Sequence, residues 1–422
     1  MYELTTLSNG LRVLTVTLPH VQSVALGFFL GVGSRYESDA LAGASHFVEH
    51  MLFKGTHRRP SARDIAEAIE GRGGVFDATT GLESTLYWAK VAAPHLPEAL
   101  DVLSDMLLHA TFDADDVEKE RAVIIEELKY VRETPDSLAQ MLANQLQWPQ
   151  HPLGRDVAGT RQSVGSLDRR ALLGFRTCYY HPGSTVLAMA GQVDHGEAVA
   201  LSERHLAGWR RGSAASFEPA PTNSYGPKFR VHTKDSEQVH LSFSFEGLAR
   251  DDPDRFALRL LNVILGEGMR SRLFQEVRER LGLAYSVDSY LSTFRDSGAL
   301  GIYGGVAVES VSEAIEAIVQ QLDTLRQEPV SHEELEKACG FTTGRLALAL
   351  ENSFAVASWY AHQVLFGSEV LEPNQVIAHY ESVQTQDIQR LARHLFQADR
   401  LNLAAVGPLS GDEAPLHSAV HL

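Results

Sequence analysis

A chain of 422 residues is too long for one hydrophobic core and sets an expectation of about two to four domains. With 44% hydrophobic and 22% charged residues it falls among folded globular proteins, and no run approaches the roughly 18 consecutive apolar residues of a membrane span. A formal net charge of −17 argues against nucleic acid as a partner, because phosphates call for a surface rich in Lys and Arg; it suits cationic peptides, and it equally serves plain solubility.

The start Met1-Tyr2-Glu3-Leu4 has no basic region followed by an apolar core, which points to the cytoplasm; an export signal removed before this numbering would leave the same start. Asn9-Gly10 followed by Leu11-Arg12-Val13-Leu14-Thr15-Val16 predicts a hairpin. A strand is expected from Val24 to Phe29, then a loop with Gly31, Gly33 and Ser34, and a helix from Leu41 to Phe53. A second helix should start on Ser61 as N-cap and end at Arg72-Gly73-Gly74. Strands at Val75 to Thr79 and Ser84 to Val91 follow, then helices at Leu96 to His109 and Asp113 to Arg132, and mixed structure to Leu206. Residues 209–228 are rich in Gly, Ser, Ala, Pro and Asn and are expected to form a linker. Beyond them the order of elements recurs at an offset near 215, with Pro97-Glu98-Ala99-Leu100 matching Ser312-Glu313-Ala314-Ile315 and Val117-Glu118-Lys119 matching Leu335-Glu336-Lys337. The period is too long for a solenoid and indicates a duplicated domain, 1–208 and 229–422. The two cysteines, Cys178 and Cys339, form no CxxC pattern and are expected to be plain core or semi-buried thiols.

The segment His46-Phe47-Val48-Glu49-His50 carries the chemistry. On a helix, residues four apart share a face, so His46 and His50 converge on one small ion, while Glu49 borders that face as a proton acceptor. A catalytic zinc site normally has three protein ligands and one open position. The best source of a third is the helix containing Glu120, Glu126 and Glu127. Glu120 and Glu127, seven apart, share a face, and Glu126 is turned about 100° away; periodicity does not choose between the two adjacent glutamates. Taken alone, a helical His pair is more often a coincidence, and an acidic helix more often a solvated face.

These residues resemble the pitrilysin, insulin-degrading enzyme and mitochondrial processing peptidase family, whose H-x-x-E-H motif inverts the thermolysin order. In that family a glutamate ligand follows the second histidine after about 76 residues, in a segment like Glu120-Arg121-Ala122-Val123-Ile124, and Glu127 stands at that spacing from His50. The resemblance therefore implies His46, His50 and Glu127 as ligands of one Zn²⁺ per chain, Glu49 as the catalytic base and Glu120 as the acid that orients the site. Gly73-Gly74-Val75-Phe76-Asp77-Ala78-Thr79 is similar to the family's edge strand, on which a peptide adds as an extra strand, so Gly74, Phe76, Asp77 and Ala78 are implied substrate contacts. Asp77 departs from the usual Asn, and an ionised carboxylate cannot donate a hydrogen bond. Ser271 to Val287 looks like the family's arginine and tyrosine element, which implies that Arg278 and Tyr285 bind substrate main chain and stabilise the oxyanion. Without the family, Arg278 reads as a surface helix residue and Tyr285 as a strand residue of the core.

The resemblance implies two homologous α+β domains of the α/β-roll type. It also implies hydrolysis of unfolded peptides or presequences inside a dimeric chamber, as a homodimer or as a heterodimer with an inactive paralogue. The second half has Leu260-Leu261-Asn262-Val263-Ile264-Leu265 where the first has its His and Glu cluster, so only the first is expected to hold zinc. A non-catalytic structural subunit of the same fold is the main rival, and a metal hydrolase acting on something other than peptides is another.

Overall fold

The computed structural model describes residues 2–212, 216–221, 227–367 and 369–410. Parts of the expected linker, residues 213–215 and 222–226, lie outside the described residues. The chain forms mixed helix and sheet in two compact units, with no helix among the described residues long and apolar enough to cross a membrane.

The first unit is built on β1 (Glu3–Thr6), β2 (Arg12–Thr17), β3 (Ser23–Leu30), β4 (Val75–Thr80), β5 (Thr85–Ala92) and β6 (Thr185–Gly191), in the sheet order β1-β2-β6-β3-β5-β4. The β1–β2 turn uses Gly10 at φ 93°, with the Asn9 side chain accepting from the Leu11 N–H. The helices of the first half are α1 (Ala44–Leu52), α2 (Ala62–Glu70), α3 (Leu96–His109), α4 (Ala114–Glu133), α5 (Pro135–Gln147), α6 (Arg161–Ser166), α7 (Arg169–Tyr179) and α8 (His195–Leu206). The helix expected from Leu41 starts three residues later, because Gly43 sits at φ 92° and breaks the helical path. Ser61 caps α2 as expected, in a capping box with Asp64, and the helix ends at Glu70 with Gly71 as C-cap.

The second unit is built on β7 (Lys228–Thr233), β8 (Val239–Glu246), β9 (Ala284–Thr293), β10 (Gly298–Val306) and β11 (Asn402–Gly407), in the order β7-β11-β8-β10-β9. The helices of the second half of the chain are α9 (Arg255–Gly266), α10 (Val311–Gln327), α11 (His332–Ala349), α12 (Ser353–Phe366), α13 (Pro373–Ser382) and α14 (Thr385–Leu395), and Phe274–Arg280 is a π-type turn. The topology repeats that of the first sheet. In each, the first strand of the repeat lies parallel to the last (β2 to β6, β7 to β11), and the third strand is an outer edge (β4, β9).

The units are not the two halves of the chain. The first contains Met1–Leu128, Asp156–Glu218 and Ala347–Glu372, and the second Lys129–Arg155, Pro219–Leu346 and Pro373–Leu422. The central strands β3 and β6 are apolar along nearly their whole length, so their sheet has two faces to cover. One face packs on α1, α3 and their neighbours. The other, with Leu14, Val16, Phe29, Val186 and Ala188, is covered by Val356, Ala357, Tyr360 and Ala361 of α12, from the second half. Reciprocally, Leu138, Ala139, Leu142, Ala143 and Leu146 of α5, from the first half, pack with Ala404 and Val406 of the second sheet. Each leucine or valine buried this way contributes about 1.5–3 kcal/mol.

Candidate metal centre

Helix α1 is held at its start by a buried carboxylate: Glu37 accepts from Gly43 N–H at 2.7 Å and Ser45 N–H at 2.6 Å, satisfying free donors at the positive end of the helix. Gly43 is required there, because a Cβ would lie 2.5 Å from the Ala158 carbonyl oxygen. Ala44, Phe47, Val48, Met51 and Leu52 are buried in the core, which leaves His46, Glu49 and His50 on the half-exposed face. Arg121 of α4 lies over the Phe47 ring at 5.6 Å and donates to the Val164 carbonyl, anchoring α4 beside α1.

The Nε2 atoms of His46 and His50 are 3.3 Å apart. Glu127 Oε2 lies 3.8 Å from the first and 3.7 Å from the second. Among the described residues these three are the group of His, Cys, Asp and Glu side chains able to share one metal ion. Two nitrogen donors at about 2.05 Å from a tetrahedral ion are roughly 3.3 Å apart, so the histidine pair fits zinc as it stands, with the Glu127 arm slightly open. Burial, with His50 beside it, lowers His46 to about 4, so its imidazole is neutral and ready to donate a lone pair at neutral pH. His50 Nδ1 is 3.0 Å from Glu120 Oε2, and Glu120 Oε1 is 2.7 Å from Lys54 Nζ.

Glu49 is not part of the donor group. Its carboxylate accepts from the Thr80 hydroxyl at the end of β4. Burial pushes the Glu49 carboxyl above its usual range; Thr80 and His50 hold it back, while the Asp77 and Glu127 carboxylates add to the rise. That suits a group that takes up and returns a proton.

Strand β4 pairs with β5 on one side and, among the described residues, has no strand on its other side. Gly74 is buried where a Cβ would meet Val91 at 2.7 Å, Phe76 lies 5.5 Å from the Phe53 ring, and Asp77 is exposed and accepts from the Ala78 N–H at 2.8 Å. In the second unit the Arg278 guanidinium lies 4.8 Å from the Phe274 ring and 5.6 Å from the Tyr285 ring. Tyr285 is 75% exposed at the start of β9, and so is not the core residue its strand position suggests. Helix α9 presents Leu260, Leu261, Val263 and Leu265 to its own core and offers no donor group comparable to that of α1.

Thr80, Lys54 and Glu37 were not foreseeable as parts of the site. Lys54 lies beyond the end of α1, where helical spacing no longer applies; Glu37 is placed by the local turn before α1, and Thr80 by a contact 31 residues away in sequence.

Comparison with known proteins identifies the family. Residues 12–161 match the profile of the insulinase family, peptidase family M16, and residues 166–340 that of the peptidase M16 inactive domain. A zinc protease of Streptomyces coelicolor is 37% identical over 99% of this chain and 92% of its own length. A protease structure from Helicobacter pylori superposes with a TM-score of 0.91 at 22% identity, covering 97% of this chain and 99% of its own. A chain of complex III2 from Candida albicans superposes at 0.85 with 20% identity, covering 100% of both chains.

Proposed function

The chain belongs to the insulinase family, peptidase family M16, and from that premise we propose that it is a zinc-dependent endopeptidase of the inverted His-x-x-Glu-His type, acting on unfolded peptides. The observation that carries this reading is the convergence of His46, His50 and Glu127 on one point, with Glu49 beside them and outside the donor group. Zinc at that point would supply Lewis-acid polarisation of a carbonyl and a water acid enough to lose its proton near neutral pH.

The residues of the chain do the rest. Glu49 takes the proton of the attacking water and returns it to the leaving amine, oriented by the Thr80 hydroxyl. The free edge of β4 offers backbone donors and acceptors to a peptide in extended form, which gives affinity with little dependence on sequence. Most backbone groups of a folded protein are already paired, whereas an unfolded peptide has them free along its length, so unfolded peptides are the substrate class. Arg278 and Tyr285, exposed and in mutual contact, are suited to bind the main chain and the developing oxyanion. In this reading they serve the zinc centre of a second copy of the chain, so the working unit is a homodimer.

The likeness to a complex III2 chain means that the fold alone does not separate a peptidase from a structural subunit; the complete donor set with its base favours the peptidase. An unfolded peptide mixture incubated with the protein, with and without a chelator, tests this. Cleavage that the chelator abolishes and added zinc restores is expected, and cleavage indifferent to chelation, or none at all, contradicts the proposal.

A further inference from the structure

We propose that Lys54 is a positioning residue for the metal centre, acting through Glu120 to keep His50 Nε2 turned toward the ion. The inference rests on the zinc reading above. Helix α1 ends at Leu52, and the chain leaves it through a turn in which the Lys54 N–H donates to the Met51 carbonyl at 3.3 Å. Gly55 follows at φ 147°, where a Cβ would stand 2.5 Å from the Pro60 carbonyl oxygen, so the turn is specific to glycine. The Gly55 carbonyl accepts from the Thr111 N–H at 3.0 Å, and the buried Thr56 hydroxyl donates to Asp105 at 2.7 Å. Lys54 therefore leaves a backbone fixed on its C-terminal side by two buried attachments and on its N-terminal side by the helix that carries both histidines.

From there its ammonium reaches Glu120 Oε1 at 2.7 Å, and the other oxygen of the same carboxylate lies 3.0 Å from His50 Nδ1. An ammonium can only donate and an ionised carboxylate can only accept. As an ionised carboxylate, Glu120 accepts from Lys54 on one oxygen and can only accept on the other, so Nδ1 of His50 carries the hydrogen and Nε2 keeps its lone pair for the metal. The Glu120 side chain is 10% exposed, so a rotation away from either partner would leave a buried oxygen unmet. Among the described residues the buried Nδ1 of His46 has no comparable hydrogen-bond partner. The orientation of the donor pair thus depends on the His50 arm, and that arm is held through Glu120 by Lys54.

The test is zinc affinity measured by competition with a chromophoric chelator, with melting temperatures of the metal-free proteins alongside. The proteins are wild type, His46→Ala/His50→Ala, Lys54→Met, Lys54→Arg, Glu120→Gln and Lys54→Met/Glu120→Gln. Lys54→Met should weaken zinc binding about 10- to 100-fold, the usual effect of removing support behind a ligand, and Lys54→Arg should recover most of the loss. In the Glu120→Gln background Lys54→Met should change affinity by less than about twofold, because Lys54 acts only through that carboxylate. Affinity of Lys54→Met within about twofold of wild type, or an equal loss with and without Glu120, overturns the inference. If Lys54→Met also lowers the metal-free melting temperature, the Glu120→Gln comparison still decides, since a purely structural loss persists there. Zinc binding that is absent in wild type, or unaffected by loss of both histidines, overturns the metal reading itself; binding that needs the histidines but ignores Lys54 overturns this inference alone.

Discussion

Glu126 and Glu127 are neighbours on α4, and the helix turns them about 100° apart, so only one can face α1. Glu127 does, at 3.7 and 3.8 Å from the two histidine nitrogens. Glu127→Gln is therefore expected to lose most of its zinc while Glu126→Gln keeps it; equal metal content in the two purified variants would place the ligand elsewhere. Thr80 has a different effect. Its hydroxyl stabilises the ionised form of Glu49, whose pKa burial already raises. Thr80→Val should raise that pKa further, and the acid limb of the kcat/KM profile should move to higher pH, while Thr80→Ser leaves it in place. A limb that stays put in Thr80→Val means Glu49 is not the group titrating there. Helical spacing made it legible that the histidines share one face with Glu49 at its border, though a helical His pair by itself is more often a coincidence. Glu127 needed the family pattern, and Thr80 and Lys54 needed the fold, since the contacts that place them span 31 and 66 residues of sequence or cross to another element.

At the scale of elements, most boundaries follow from local signals such as Ser61, Gly10 and the apolar runs of β3 and β5. The exchange of α5 and α12 between the halves of the chain does not. The apolar stripes of both helices, such as Leu138, Ala139, Leu142 and Ala143, are plain in the sequence, but a stripe does not say which sheet it covers. In the structure α5 packs on β8 and β11. Leu142→Ala is thus expected to cost about 2–4 kcal/mol, with hydrogen-exchange protection lost on β8 and β11. Protection lost instead on β3 and β6 would assign α5 to the wrong sheet. Strand β4 shows the same limit in another form: its alternation of exposed and half-buried residues is readable, but its position at the edge, which makes it a place for an added strand, is a property of the whole sheet.

For the molecule as a whole, the duplication is visible in the matching strand orders, while only the first unit carries a metal-binding group among the described residues. A composite site in a two-fold dimer would give the second unit a catalytic role, through Arg278 and Tyr285. Two inactive variants, Glu49→Gln and Tyr285→Phe, test it. Random mixing of subunits that share sites in trans leaves one intact site in each mixed dimer and restores about a quarter of wild-type activity. No recovery despite proven mixed dimers would confine each site to one chain and leave the zinc assignment standing. The central claim, that His46, His50 and Glu127 hold zinc and Glu49 moves the proton, is tested most directly by a paired measurement on Glu49→Gln: metal content and peptide turnover of the same preparation. The expected result is about one zinc per chain, as in wild type, with turnover reduced at least 10²- to 10⁴-fold. Turnover near the wild-type rate in the zinc-loaded variant would contradict the account.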